Sequence, residues 1–226
     1  MRRACHDNPP TVEHMSQARP YDDERLQVIR AGHTGDGATA RAGVSADDPT
    51  VREAAFGALA RLGALTDDDL LLALRDCATR VVRRATELAA AAGSLNDSVD
   101  ALLLGLVGGD DDALAESAAW SLGERHQSHD DGPTAPPNVC DALTAAATSH
   151  HDALVREAAT AALGCIANPS TLWAVLAACK DKATVRRRAV LALAAFEGPD
   201  VDAALTAAKD DRDWQVRQAA EDLLAE

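Results

Sequence analysis

Seven histidines, five cysteines and an excess of carboxylates set the chemistry open to this chain of 226 residues. The histidines are His6, His14, His33, His126, His129, His150 and His151. Imidazole beside carboxylate suits a zinc ion, and His126, His129, Asp130, Asp131, His150 and His151 would offer both if the loop and turn that carry them were neighbours. No spacing among them fixes a coordination geometry, so they read as a solvated polar loop and turn, and no metal ligand is assigned. Cys77, Cys165 and Cys179 fall in or beside helical patterns, where a thiol serves as a small buried hydrophobe. No Ser-His-Asp order, phosphate-cradling loop or paired acid and base recurs with meaningful spacing. The expectation is no catalytic residue and no cofactor.

What must position any site is a repeat. Four segments carry Val-Arg followed by alanines at helical spacing: Asp47 to Gly63, His151 to Gly164, Lys182 to Phe196 and Arg212 to Leu224. Weaker copies span Thr79 to Gly93 and Asp111 to Gly123. The register residues are Val51, Val82, Leu114, Val155, Val185 and Val216. Their period of roughly 30 residues is one helix, a tight turn and a second helix per unit. The one longer interval, Leu114 to Val155, contains the Pro- and Gly-bearing segment 126–137, which cannot continue a helix and reads as an inserted loop.

In each second helix the apolar residues form one stripe of period 3.6, as Val51, Ala55, Ala58, Leu59 and Leu62 do in the first. The preceding helices repeat it in Leu70, Leu71 and Leu74, in Val99, Leu102, Leu103 and Leu106, and in Leu172, Val175 and Leu176. A hairpin that buries one face needs the next hairpin on its other edge, so the units must stack. The expected fold is all-α, about six helical hairpins over 25–226, with a disordered tail over 1–24. Arg25 to Gly32 and Asp36 to Ala46 are expected to form an incomplete hairpin that caps the array.

Asp48, Asp111, Asp152 and Asp213 stand three before the register residue, where a carboxylate caps a helix. Arg52, Arg83, Arg156, Arg186 and Arg217 follow it directly, within reach of the neighbouring turn. Asp and Arg together are expected to form an inter-repeat ladder, with Ala115 leaving the third unit without its Arg.

Positions 2, 5, 6 and 9 after the register residue are expected to leave the core stripe and face a groove. That assigns Glu53, Arg84, Glu116, Glu157 and Arg187 to a binding face, with Glu87 beside them and Phe56 and Trp120 as aromatic anchors in a chain only 3% aromatic. Trp173 and Trp214 are explained by packing.

The pattern Asp-x-x-Val-Arg-x-x-Ala-Ala-x-x-Leu, over roughly Arg25 to Glu226, resembles the HEAT-like repeats of the phycobilisome-lyase type. The resemblance implies a curved right-handed superhelix with second helices on its concave side. It implies no single activity, because such repeats serve as scaffolds, holders, bilin lyases and a few enzymes. Hydroxylases of this architecture hold iron on His-Glu pairs, and this sequence has no His-Glu dipeptide. Glycosylases of this architecture use a basic concave face, against a net charge here of -14.

With 36 acidic against 22 basic residues, the chain is expected to avoid nucleic acid and anionic membrane and to bind a protein or peptide. No stretch has the apolar length of a membrane span and no apolar signal segment opens the chain, so a cytoplasmic monomer is expected. The function expected is a non-catalytic interaction scaffold. The alternative is a lyase or metal-dependent modifying enzyme with its site near the irregular third repeat.

Overall fold

The computed structural model describes residues 20–92, 95–128, 132 and 135–225. Within them lie thirteen α-helices. They divide into two compact units, one ending at Leu88 and one starting at Ala89.

The first unit holds α1 (Pro20–Thr34), α2 (Gly37–Gly43), α3 (Pro49–Arg61), α4 (Asp67–Leu74) and the start of α5 (Thr79–Ala90). Its helix starts are written in the sequence. Asp36 accepts the Thr39 amide at 3.0 Å, Asp48 accepts the Thr50 amide at 2.7 Å ahead of Pro49, and Thr66 and Asp69 close a capping box on α4. Phe56, Leu59, Leu70, Val51 and Val81 are fully buried between these helices.

α1 begins at Pro20, ahead of the expected start at Arg25. It packs against α2, as the expected hairpin would, and more extensively against α3. A methyl group at Gly32 would lie 2.9 Å from the Ala58 backbone, so α1 packs backbone to backbone on α3. α2 packs against α3 as well, so α2 and α3 form a hairpin and α1 precedes it in the position of a second helix. The expected tail over 1–24 otherwise lies outside the described residues.

The second unit holds α6 (Asp97–Val107), α7 (Asp112–Arg125), α8 (Pro137–Ser149), α9 (Ala153–Ile166), α10 (Leu172–Ala178), α11 (Ala183–Ala192), α12 (Pro199–Ala208) and α13 (Trp214–Ala225). These are four hairpins, so with α2–α3 and α4–α5 the described residues hold the six expected. The second helices α7, α9 and α11 pack on one another far more closely than the first helices α6, α8 and α10 do, so this unit curves toward its second helices. Glycine permits the closeness: a methyl at Gly123 would lie 2.6 Å from the Ala162 Cα, and one at Gly164 2.9 Å from the Ala192 Cα. These approaches repeat the Gly32–Ala58 contact of the first unit.

The register of α5 departs from expectation. In α3 the amides of Val51 and Arg52 both point to the carbonyl of Asp48, and in α5 those of Val81 and Val82 point to the carbonyl of Ala78 in the same way. Val81, which is fully buried, therefore stands where Val51 stands, and Val82 occupies the ladder position. Arg83 is exposed and takes no part in the ladder.

The ladder itself is strong. Arg52 donates from Nε and Nη2 to both Asp76 oxygens at 2.7 Å, Arg156 reaches Asp181 at 2.6 and 2.8 Å, and Arg186 reaches Asp211 at 2.8 and 2.7 Å. Each Nη1 also donates to carbonyls of its own turn: Ala46 and Asp47, His150 and His151, and Asp181. Arg217, in the last repeat, donates to the Asp211 carbonyl at 2.8 Å. The planar fork of arginine suits such two-sided use. The carboxylates differ from those expected. Asp152 and Asp213 cap α9 and α13, as Asp48 caps α3, and the rungs are completed by Asp76, Asp181 and Asp211 in the following turns.

The third repeat substitutes a different device. Asp100 on α6 accepts from Arg125 Nε at 2.7 Å and meets His126 Nε2 at 2.9 Å, while Arg125 Nη1 donates to the Ala89 carbonyl at 3.0 Å. All three side chains are buried. Burial pushes the Asp100 carboxyl up, but its bonds from His126 and Arg125 outweigh that and hold it below the usual range. His126 is thus a buried partner at the end of α7, not part of a solvated loop. His129, Asp130 and Asp131 lie outside the described residues.

Candidate binding face

The exposed surface of the second helices follows from where the core stripe runs. In the repeats headed by Val51 to Val185 the fifth position after the register residue is Phe56, Thr86, Ala119, Thr160 and Val190, and all five are buried, while in the repeat headed by Val216 it is the exposed Glu221. The two threonines fit there because their hydroxyls donate to the carbonyls of Arg83 and Arg156 at 2.7 Å. Phe56 is 1% exposed, so it is a core residue and not a surface anchor. The ninth position carries the close-packed glycines Gly123 and Gly164. The second, third and sixth positions, and the tenth a turn further on, supply most of the outward-facing residues.

In the second unit the sixth position reads Trp120, Ala161, Leu191 and Asp222. Trp120 is 44% exposed and Leu191 38%. Glu116 and Glu124 lie one helical turn on either side of Trp120 on the same face of α7, Glu116 half-buried and Glu124 exposed. α7 thus presents a large ring bracketed by two carboxylates. On α9 Glu157 is half-buried and lies 3.6 Å from Arg188 of α11, beside the exposed Arg187. The face is acidic at α7 and basic at α11. Glu124 and Arg188 were not foreseen, although the Glu-x-x-x-Trp-x-x-x-Glu spacing of α7 is visible in the sequence.

In the first unit the corresponding face is not acidic. Glu53 pairs with Arg80 at 2.8 Å and Arg84 with Glu87 at 2.8 Å, and Arg25, Arg61 and Arg84 line a shallow pocket with Glu53. The expected residues Glu53, Arg84 and Glu87 lie on one surface, Arg84 engaged with Glu87 and Glu53 with Arg80.

Two tryptophans explained in advance by packing are exposed: Trp173 on α10 at 58% and Trp214 at the start of α13 at 63%. Two of the expected cysteines keep thiols that are poor nucleophiles. Burial pushes Cys179 up to about 11, and burial with the Glu124 carboxylate raises Cys165, so both stay protonated at neutral pH. Cys77 is exposed rather than buried and is disulfide-bonded, so it carries no free thiol.

Within each unit, helical hairpins with close-packed second helices make an all-α helical-repeat fold. Residues 140–225 match the family model for HEAT repeats. No curated protein matches the chain. Among solved structures it is similar to YibA of Escherichia coli, at 18% identity and a TM-score of 0.64 over 92% of this chain and 76% of that one. It is also similar to the complex of CpcE and CpcF of phycocyanin lyase from Nostoc sp. PCC7120, at 19% identity and a TM-score of 0.58 over 98% and 81%. A designed armadillo repeat protein in complex with the peptide (KR)4 aligns at 15% identity and a TM-score of 0.54 over 92% and 99%. At such identities the likeness carries the fold alone. No helix among the described residues is long and apolar enough to cross a membrane.

Proposed function

We propose that the chain is a non-catalytic, monomeric, cytoplasmic scaffold whose second unit binds a protein or peptide segment on the face of α7, α9 and α11. The observation that carries this reading is Trp120, a ring left 44% exposed between Glu116 and Glu124. Indole is the best of the aromatic faces for a cation, and two carboxylates a turn away select for one. A basic side chain of the partner would lie over Trp120, an apolar one against Leu191, and an acidic one near Arg187 and Arg188. The designed armadillo protein's peptide, (KR)4, supplies a defined probe.

Calorimetric titration of the full chain with (KR)4 and with an acidic peptide of equal length tests the reading. The expected result is binding of (KR)4 only, weakened at least about tenfold by Trp120→Ala, a loss typical of an interface anchor, and weakened further by salt. Equal binding of both peptides, or binding that Trp120→Ala leaves unchanged, would overturn it.

A further inference from the structure

Every Arg–Asp rung of the ladder ties one turn to the next, and its acceptor stands four or five residues before the following register residue: Asp76 before Val81, Asp181 before Val185, Asp211 before Val216. Between the third and fourth repeats the Arg position is Ala115, and the acceptor positions before Val155 are His150 and His151. Asp112, the first residue of α7, turns toward the two histidines, and ligand atoms of Asp112, His150 and His151 all lie within 4.8 Å of one another.

We propose that this cluster is a binding site for a divalent transition-metal cation of the zinc class, which completes the missing rung. The imidazole rings are stacked with centroids 4.6 Å apart, and a nitrogen of each lies within 4.8 Å of the other and of the Asp112 carboxylate. His151 Nε2 lies 3.2 Å from Asp112 Oδ1, yet that oxygen is shielded from solvent and receives no hydrogen bond. A shielded carboxylate oxygen facing two imidazoles, without a hydrogen bond to settle it, is the arrangement a cation satisfies. Two nitrogens and one oxygen are a three-ligand set for zinc and leave a coordination position open to water. Ligands about 2.0 to 2.2 Å from the metal stand closer together than these atoms do, so ligation draws the exposed His151 ring inward. His150 Nδ1 accepts the Asp152 amide at 3.2 Å, a long bond that its ligation exchanges for a metal bond. The neighbouring wall is apolar: Leu104, Val107, Gly108 and Ala146 line a hollow of about 330 Å³ that reaches His150.

The test is zinc titration of the full chain, prepared without a histidine tag and stripped of metal, beside Asp112→Asn, His150→Ala and His151→Ala. Calorimetry gives the stoichiometry and thermal unfolding gives the stabilisation. The site predicts about one equivalent bound, a rise in Tm on adding zinc, and loss of both in each variant, with affinity down by at least about tenfold. Because these positions are exposed or half-buried, the variants fold, and unchanged unfolding without zinc checks that. An unaltered zinc isotherm in the three variants, or no zinc bound by the wild-type chain, would overturn the proposal.

Discussion

Arg186 and Asp211 face each other across two consecutive turns, joined by two parallel hydrogen bonds of 2.8 and 2.7 Å with both side chains largely out of solvent. The same fork joins Arg52 to Asp76 and Arg156 to Asp181. Removing one partner leaves a buried charge without its counterpart. Arg186→Ala should lower the unfolding free energy by about 3 kcal/mol, the lower end for a broken buried pair. Arg186→Lys should recover only part of it, since lysine cannot reproduce the fork. Urea denaturation checks both.

The ladder also sets an acid limit. Asp181 and Asp211 lie below their ordinary value of 3.8, through their bonds from Arg156 and Arg186, and in Asp76 the bonds from Arg52 and the Ala78 amide outweigh a burial that raises it. A carboxyl depressed on folding contributes stability above its unfolded pKa and loses it as pH falls through the folded one. Stability should therefore hold down to about pH 4 and decline below it. Asp181→Asn should flatten that decline while lowering stability at neutral pH. Unfolding free energies at several pH values decide this.

Two glycines in helices make opposite predictions. Gly123→Ala would place its methyl 2.6 Å from the Ala162 Cα and should cost about 2 kcal/mol by overpacking. Nothing lies within 4 Å of the equivalent methyl at Gly105, so Gly105→Ala should stabilise by roughly 0.5 to 1 kcal/mol from helix propensity. Thermal unfolding of the two variants should move in opposite directions.

Phe56 separates core from binding surface. Phe56→Ala should cost about 3 to 5 kcal/mol, as for a fully buried ring. Leu191→Ala, on an exposed side chain, should stay within about 0.5 kcal/mol of wild type. Near-equal losses in denaturation would contradict the assignment of Phe56 to the core.

The repeat was legible because its signal is periodic: the Val-Arg steps and the Asp caps are local, and local chemistry fixes where a helix starts. Where two registers satisfied the same pattern, the sequence could not choose. Val81 and Val82 are adjacent and followed by two arginines, so either can head the stripe, and only the amide bonds to the Ala78 carbonyl separate them. That slip of one residue misplaced Arg83. The sequence also could not show that the second helix is rotated enough to bury the fifth position, because Phe56, Ala119 and Val190 there mix with Thr86 and Thr160. The rung acceptors Asp76, Asp181 and Asp211 and the Asp100–Arg125–His126 cluster join residues about 25 apart, a tertiary relation that no local spacing announces. Trp120 was placed on the surface, since nothing on its helix face competes for burial.

The central claim is that partners bind at Trp120, and the chain's three tryptophans test it together because all are exposed, at 44% for Trp120, 58% for Trp173 and 63% for Trp214. Oxidative footprinting of the indoles with and without (KR)4, read by mass spectrometry, compares them in one sample. The account predicts protection of Trp120 with Trp173 and Trp214 unchanged. Protection of Trp173 or Trp214 with Trp120 oxidised as before would contradict it.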